Sequence, residues 1–268
     1  MRLGKACGNY KFRDIVFYCQ NCVYLLQSAV MEKEIDTKKA LTQHLEMDSF
    51  FAGDFAVKGP DIRQESAKQS AEQLGNFERK VAGCSKCELA SSRTNTVPGE
   101  GDPAAKIVFV GEAPGEDEDK QGRPFVGRAG KLLDKIIAAM GLSRKEVFIC
   151  NILKCRPPGN RDPLGDEIAE CLPLLQEQLR IIRPEIIVAL GAHAARTLLE
   201  SKETIGRLRG KIHEYHPGDT AEPIKLVATY HPAYLLRSYS PENRRKVWDD
   251  MKVVMEQVGL EVPPPSGK

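Results

Sequence analysis

The stretch Lys106-Ile-Val-Phe-Val110 is a short run of apolar residues, and the glycine-rich loop Gly111-Glu-Ala-Pro-Gly115 follows it directly. A short apolar run of this kind predicts a strand that is buried on both faces. Glycines permit tight turns and allow a ligand to approach the backbone closely. The stretch therefore predicts one strand of a parallel sheet with a ligand-binding loop at its carboxyl end.

Three more strands are predicted by similar apolar runs, and amphipathic segments with helical periodicity alternate with them. The predicted strands cover residues 147–153, 185–190 and 224–230, and the helices cover 130–140, 166–182, 192–199 and 241–258. This alternation predicts an α/β fold, a three-layer α/β/α sandwich with a central, mainly four-stranded parallel sheet. Binding residues are expected in the loops that follow the strands.

The composition is typical of a globular chain with no general affinity for polyanions. Of 268 residues, 41% are hydrophobic and 28% are charged, and the formal net charge is only +2. Nucleic-acid binding would therefore depend on local basic patches. No stretch is long and apolar enough to predict a membrane span. We expect a cytoplasmic protein, in which thiols stay reduced.

The chain divides into three predicted parts. Residues 1–75 show helical periodicity and then a polar run, so we interpret them as a helical N-terminal extension followed by a linker. Residues 76–262 form the predicted α/β domain, and residues 263–268 a flexible tail.

Four cysteines suggest a metal centre. Cys84 and Cys87 form one close pair, and Cys155 and Cys171 come from more distant segments. Four thiolates suit either Zn²⁺ or an iron–sulfur cluster. The spacing alone leaves these two open, and disulfides are a third, weaker interpretation.

Three polar or aromatic side chains near strand ends are candidates for ligand contacts. Phe125 lies in a polar, glycine-rich loop, where an aromatic ring could stack on a planar ligand. Asn151 offers an acceptor and a donor side by side, a pair that matches the edge of uracil, whereas cytosine presents the reverse pattern. His231 precedes a proline at the end of the fourth predicted strand. Core packing for Phe125 and a turn cap for Asn151 are the alternatives.

Three separated motifs carry a resemblance to a known family. Gly111-Glu-Ala-Pro-Gly115, Lys154-Cys-Arg-Pro-Pro158 and His231-Pro-Ala-Tyr234, together with the cysteine spacing, resemble the family 4 uracil-DNA glycosylases of bacteria and archaea. The resemblance covers roughly residues 77–260. It implies that the cysteines hold a 4Fe–4S cluster with a structural role beside the DNA surface.

The resemblance also implies roles for the candidate residues. Gly111, Glu112 and Ala113 would line the uracil pocket, Phe125 would stack on the flipped base, Asn151 would recognise its edge, and His231 would face its O2 atom. Ala113 stands where related families often carry a water-activating Asp or Asn. We therefore take Glu112 and Glu118 as candidate catalytic carboxylates beside His231. The basic residues assigned to DNA phosphates are Lys154, Arg156, Arg161 and Arg237.

The predicted activity is removal of uracil from single- or double-stranded DNA by a monomeric, monofunctional glycosylase. The alternatives are a related glycosylase that acts on other deaminated bases, a non-catalytic DNA-binding protein associated with a DNA polymerase, and a zinc-dependent nucleotide hydrolase. Cross-linking relatives carry a reactive His after the Lys-Cys-Arg-Pro-Pro motif. Gly159-Asn-Arg-Asp-Pro163 follows it here and contains no His, which disfavours that version.

Overall fold

A computed structural model describes residues 62–218 and 222–263 of the chain. The predicted N-terminal extension up to residue 61 and the predicted tail from residue 264 onward lie outside these described residues. Within the described ranges, none of the helices has the length and apolar character needed to span a bilayer.

The described chain contains nine α-helices that alternate with the strands of one sheet. In chain order the helices are α1 (Ile62–Ala82), α2 (Leu89–Ser92), α3 (Glu116–Gln121), α4 (Arg128–Ala139), α5 (Gly165–Ile182), α6 (Ala192–Leu198), α7 (Ile205–Leu208), α8 (Pro232–Arg237) and α9 (Pro241–Gln257). A short 3₁₀ turn covers Pro158–Asn160.

The sheet has six strands in the order β1-β3-β2-β4-β6-β5. These are β1 (Glu100–Gly101), β2 (Ile107–Gly111), β3 (Phe148–Asn151), β4 (Ile186–Leu190), β5 (Ile212–Tyr215) and β6 (Ile224–Thr229). The four central strands are parallel, as the sequence predicts, and the two edge strands are antiparallel to their neighbours. The predicted α/β fold with a mainly four-stranded parallel sheet is therefore confirmed.

Both faces of the sheet are covered by apolar layers. Each strand contributes to both layers, because its side chains alternate between the two faces. On β2, Val108 and Val110 belong to the layer that includes residues of α1, α5 and α6, whereas Ile107 and Phe109 belong to the layer with α4 and α9. Strands β2, β3 and β4 are buried throughout, and β6 is buried over its last four residues. This explains why they appear in the sequence as continuous apolar runs.

Helix α1 extends the folded unit further toward the N-terminus than the sequence indicates. The predicted domain boundary at residue 76 falls inside this helix. Its buried residues Leu74 and Phe77 belong to the same apolar layer as α5, and the Ser70 hydroxyl donates a hydrogen bond to the Ile181 carbonyl at 3.2 Å. The second half of the polar run is thus helical and packs on the sandwich.

Candidate nucleobase pocket and cysteine site

The carboxyl ends of four adjacent parallel strands meet at one edge of the sheet. Gly111 at the end of β2 is the register partner of Asn151 at the end of β3, and Leu190 of β4 is the partner of Thr229 of β6. His231 follows β6 by two residues. The topology therefore brings together the loops in which the sequence predicts the site.

Asn151 is buried at this edge with an unsatisfied polar atom. Its side chain is 1% exposed, and Oδ1 has no hydrogen-bond partner among the described residues. A Cβ atom at Gly111 would lie 2.3 Å from this oxygen and 2.6 Å from the Phe125 ring, so only glycine fits there. A buried acceptor without a donor costs free energy unless a ligand or water supplies one.

Phe125 lies over the same strand end in a backbone conformation that non-glycine residues seldom adopt. Its φ is 52°, and its side chain is buried. Glu118 stabilises the loop, because its Oε1 accepts hydrogen bonds from the amides of Val126 at 2.9 Å and Gly127 at 3.0 Å. Gly127 is the N-cap of α4, so the Glu118 carboxylate holds the backbone at the start of that helix. Strained residues with such support are often found at ligand sites.

Arg144 holds the other side of the Phe125 loop. Its guanidinium donates to the Phe125 carbonyl at 3.1 Å and also to the Pro124 carbonyl. Asp134 and Glu100 orient it at 2.9 and 3.1 Å. No sequence motif includes Arg144, which lies several residues beyond the end of α4, so its role was not predicted.

His231 completes the pocket edge as a neutral imidazole. Its ring centroid lies 5.7 Å from that of Phe125. Nδ1 accepts a hydrogen bond from the Ala233 amide at 3.1 Å, which caps α8 and leaves the proton of the neutral ring on Nε2. Burial, and then the positive charge of Arg237, lowers the pKa of His231 to about 4. The ring is therefore a hydrogen-bond donor without a positive charge at neutral pH.

Glu112 lies beside a histidine that the sequence analysis did not select. Its Oε1 is 3.9 Å from His193 Nδ1, and His193 Nε2 is 3.7 Å from Asp162 Oδ2. Burial raises the pKa of Glu112, while His193 acts in the opposite direction. Ala113 is half-buried and packs against the apolar layer that includes α5. Unlike Glu118, Glu112 accepts no backbone hydrogen bond through its carboxylate in the described structure.

The assignment of Lys154 to a DNA phosphate is wrong. Its side chain is 1% exposed, and Nζ donates to the Asn151 carbonyl at 2.8 Å and to Gln178 Oε1 at 2.7 Å. Burial lowers its pKa. The basic cluster in the sequence suggested a surface patch, but the Lys154 side chain points inward. There its Nζ donates a hydrogen bond to Gln178 of α5.

The three arginines assigned to DNA lie nearer the surface, and two of them already have anionic partners. Arg156 donates to Asn160 Oδ1 at 2.7 Å and lies 3.5 Å from Glu116, while Arg161 forms a two-pronged pair with the buried Glu167. Arg237 is exposed at the end of α8. Arg237 is therefore the best placed of the three to contact a phosphate.

The four predicted metal ligands line one cavity. Cys84 and Cys87 follow α1, Cys155 follows β3, and Cys171 lies on α5. All four are free thiols. In the described chain, no three of these sulfurs lie within 4.8 Å of one another. Two sulfurs on one Zn²⁺, each bonded at about 2.3 Å, are at most about 4.6 Å apart. The four sulfurs are therefore not arranged as ligands of a single Zn²⁺, and four thiols are also the donor set of an iron–sulfur cluster.

The fold and the site define a class of protein: an α/β sandwich whose strand-end site brings together a buried aromatic ring, a buried amide and a neutral imidazole. The sequence profile of the Uracil DNA glycosylase superfamily matches residues 98–252. The chain belongs to this superfamily, and within it to the type-4 uracil-DNA glycosylases.

Relatives from archaea and bacteria support the assignment to type 4. The chain is 45% identical to a type-4 uracil-DNA glycosylase of Archaeoglobus fulgidus, over 72% of this chain and 96% of the relative. It is 47% identical to one of Sulfurisphaera tokodaii, over 69% and 84%, and 48% identical to one of Thermotoga maritima, over 65% and 88%. The predicted family is thereby confirmed.

Proposed function

We propose that this protein removes uracil from DNA by hydrolysing the N-glycosidic bond, which yields free uracil and an abasic site. The observation that carries this proposal is the buried, unpartnered Oδ1 of Asn151 beside Phe125 and His231. The names of the type-4 relatives agree with it. The reaction is the first step of base excision repair.

Recognition depends on the amide edge of Asn151. Its Oδ1 accepts a hydrogen bond from N3–H of uracil, and its Nδ2 donates one to O4. Cytosine presents an acceptor at N3 and a donor at the neighbouring position, so it leaves both amide atoms unsatisfied. Gly111 lets the base approach the strand end, and the Phe125 ring is placed to stack on it. The nucleotide must first leave the helix stack, at a cost of a few kcal/mol.

His231 stabilises the leaving uracil anion. Negative charge develops on O2 as the glycosidic bond breaks, and a fixed donor aimed at that charge lowers the barrier. The neutral imidazole supplies this donor through Nε2–H, because Nδ1 is already engaged with the Ala233 amide. Removing one such donor typically lowers the rate by about 100- to 1000-fold.

Glu112 is the carboxylate best placed to orient the attacking water. Oε1 of Glu118 accepts hydrogen bonds from two backbone amides, which supports a positioning role for this carboxylate instead of a catalytic one. Ala113 supplies no polar group. A sugar cation that forms before water attacks needs little help from a base, so Glu112 contributes less than His231.

Arg237 contacts the DNA backbone beside the flipped nucleotide, with Arg156 and Arg161 as secondary contacts. Single- and double-stranded DNA present the same phosphates to these arginines, and the proposed substrate is uracil in either form. The enzyme acts as a monomer in the cytoplasm and does not cleave the strand.

The four cysteines hold a 4Fe–4S cluster. The support for this is the common cavity, in which no three of the sulfurs lie within 4.8 Å of one another, together with the resemblance to family 4. When bound, the cluster acts as a covalent cross-link between three chain segments. Cys155 follows Asn151 by four residues, so the cluster stabilises the strand end that recognises uracil.

The test uses purified full-length protein and an end-labelled oligonucleotide that contains one uracil, followed by alkaline cleavage of abasic sites. We expect a cut at uracil and none at thymine or cytosine. His231→Ala, purified in the same way, serves as a control against a contaminating glycosylase. A cut that persists unchanged with this variant, or no cut with the iron-loaded wild type, would contradict the proposal. Substrates with hypoxanthine and xanthine test the alternative of another deaminated base.

A further inference from the structure

Arg93 bridges two parts of the cysteine site. Its Nη1 donates a hydrogen bond to Cys155 Sγ at 3.2 Å, and its Nη2 donates to the Ala82 carbonyl at 3.1 Å. Ala82 is the last residue of α1, and Cys84 lies two residues beyond it. One guanidinium therefore connects the segment that carries Cys84 and Cys87 with the segment that carries Cys155.

Arg93 is well suited to this connection by its geometry. It directly follows α2, and its backbone amide is held by the Leu89 carbonyl at 3.2 Å. The guanidinium is planar and presents several donors in a fixed arrangement, so it can bind a sulfur and a carbonyl together. A lysine ammonium would lack this planar fork.

We propose that Arg93 is a positioning residue that retains and tunes the metal cluster of this protein. The inference rests on the proposed iron–sulfur cofactor. A cluster held by four thiolates is an anionic group, and the guanidinium brings a positive charge and an N–H donor to one of its sulfurs. Partners of this kind, which orient the ligands without binding the metal, typically change metal affinity about 10- to 100-fold.

The decisive variants are Arg93→Met and Arg93→Lys, compared with Lys86→Met. Lys86 lines the same cavity, but its exposed side chain makes no described hydrogen bond to a cysteine sulfur. Lys86→Met therefore removes a positive charge near the cluster and preserves the bridge. We expect Arg93→Met to lose iron to a chelator about 10- to 100-fold faster than the wild type. Arg93→Lys should be intermediate, and Lys86→Met should resemble the wild type.

The experiment measures iron and sulfide content, the decay of visible cluster absorbance under chelator, and the reduction potential of the anaerobic full-length protein. Hydrogen bonds to cluster sulfurs help set the potential. Loss of the Arg93 donor should shift it to more negative values, a change that a merely structural role would not produce. Circular dichroism identifies any variant that fails to fold, and Arg93→Lys then provides the comparison.

Two outcomes would overturn the role of Arg93. One is an Arg93→Met protein with the iron retention and potential of the wild type, and the other is an equal change in Lys86→Met. A wild type purified anaerobically without iron and sulfide would instead contradict the proposed cofactor. Uracil excision by the wild type, measured separately, tests the proposed function independently of both.

Discussion

The buried Nζ of Lys154 donates a hydrogen bond to the backbone carbonyl of Asn151, with 2.8 Å between Nζ and the oxygen. Gln178 accepts a second hydrogen bond from Nζ at 2.7 Å and donates through its own Nε2 to the Pro98 carbonyl at 2.9 Å. The end of β3, which carries the uracil-recognising amide, is therefore fixed from the α5 side of the sheet.

Lys154→Met is expected to lower stability and leave the salt dependence of DNA binding unchanged. The substitution leaves the Asn151 carbonyl and Gln178 Oε1 without a donor, and each buried unpaired group costs about 1–3 kcal/mol. Urea unfolding measures the loss. Uracil excision should also fall, because the Asn151 strand end is no longer fixed.

Arg237→Gln is the matched control, since it removes an exposed positive charge from the predicted DNA surface. It should reduce the salt slope of DNA affinity by about 1 with little change in stability. If Lys154→Met reduced that slope equally, Lys154 would contact a phosphate after all.

Asn151→Asp is expected to reduce discrimination between uracil and cytosine. The carboxylate keeps an acceptor for N3–H but loses the donor for O4 and repels that oxygen. A site that rejects the wrong base through buried polar groups loses selectivity when those groups change. We expect uracil excision to fall by at least about 100-fold and the cytosine-to-uracil ratio of rates to rise.

The measurement uses single-turnover kinetics on matched oligonucleotides. Asn76→Asp, the same chemical change on the exposed face of α1, should leave both rates unchanged. Equal selectivity in Asn151→Asp and the wild type would remove Asn151 from base recognition.

The central strands were predictable because burial on both faces leaves a continuous apolar run in the sequence. The edge strands were not. β1 has only two residues, and β5 alternates between exposed and buried side chains over four residues. Their pairing depends on β3 and β6, which are distant in sequence, and no local pattern records that pairing.

The positions of Asn151 and His231 were predictable, because one ends a strand and the other comes shortly after one. Contacts from distant segments were not predictable. The positive φ of Phe125 is supported by Arg144, and the Lys154 side chain is buried against Gln178. A basic or acidic residue is the same letter in the sequence whether its side chain is exposed or buried against a distant segment. Only the packing of the folded chain distinguishes the two cases.

Glu118→Gln and Glu118→Ala distinguish support of the Phe125 loop from catalysis. A glutamine keeps an oxygen that accepts from the Val126 and Gly127 amides, whereas alanine leaves both amides without this acceptor. A buried group that loses its hydrogen-bond partner costs about 1–3 kcal/mol. We expect Glu118→Ala to unfold at lower urea and bind substrate more weakly, while Glu118→Gln stays within a few-fold of the wild-type kcat. If catalysis needs the carboxylate as a base, both variants will be equally inactive.

His231 is expected to remain neutral throughout the working range of the enzyme. Burial, and secondarily the Arg237 charge, lowers its pKa to about 4 from the usual 6.5. Between these two values the unfolded chain binds a proton that the folded chain does not, so stability rises with pH there, by at most about 1.4 kcal/mol per pH unit. Urea unfolding from pH about 4 to 7 should show this slope in the wild type and a shallower one in His231→Gln, because glutamine does not titrate. The kcat of the wild type should show no step at the usual histidine pKa. Such a step, or identical slopes in the two proteins, would mean that the His231 imidazole is positively charged in the folded enzyme. The leaving uracil anion would then be stabilised by an imidazolium cation.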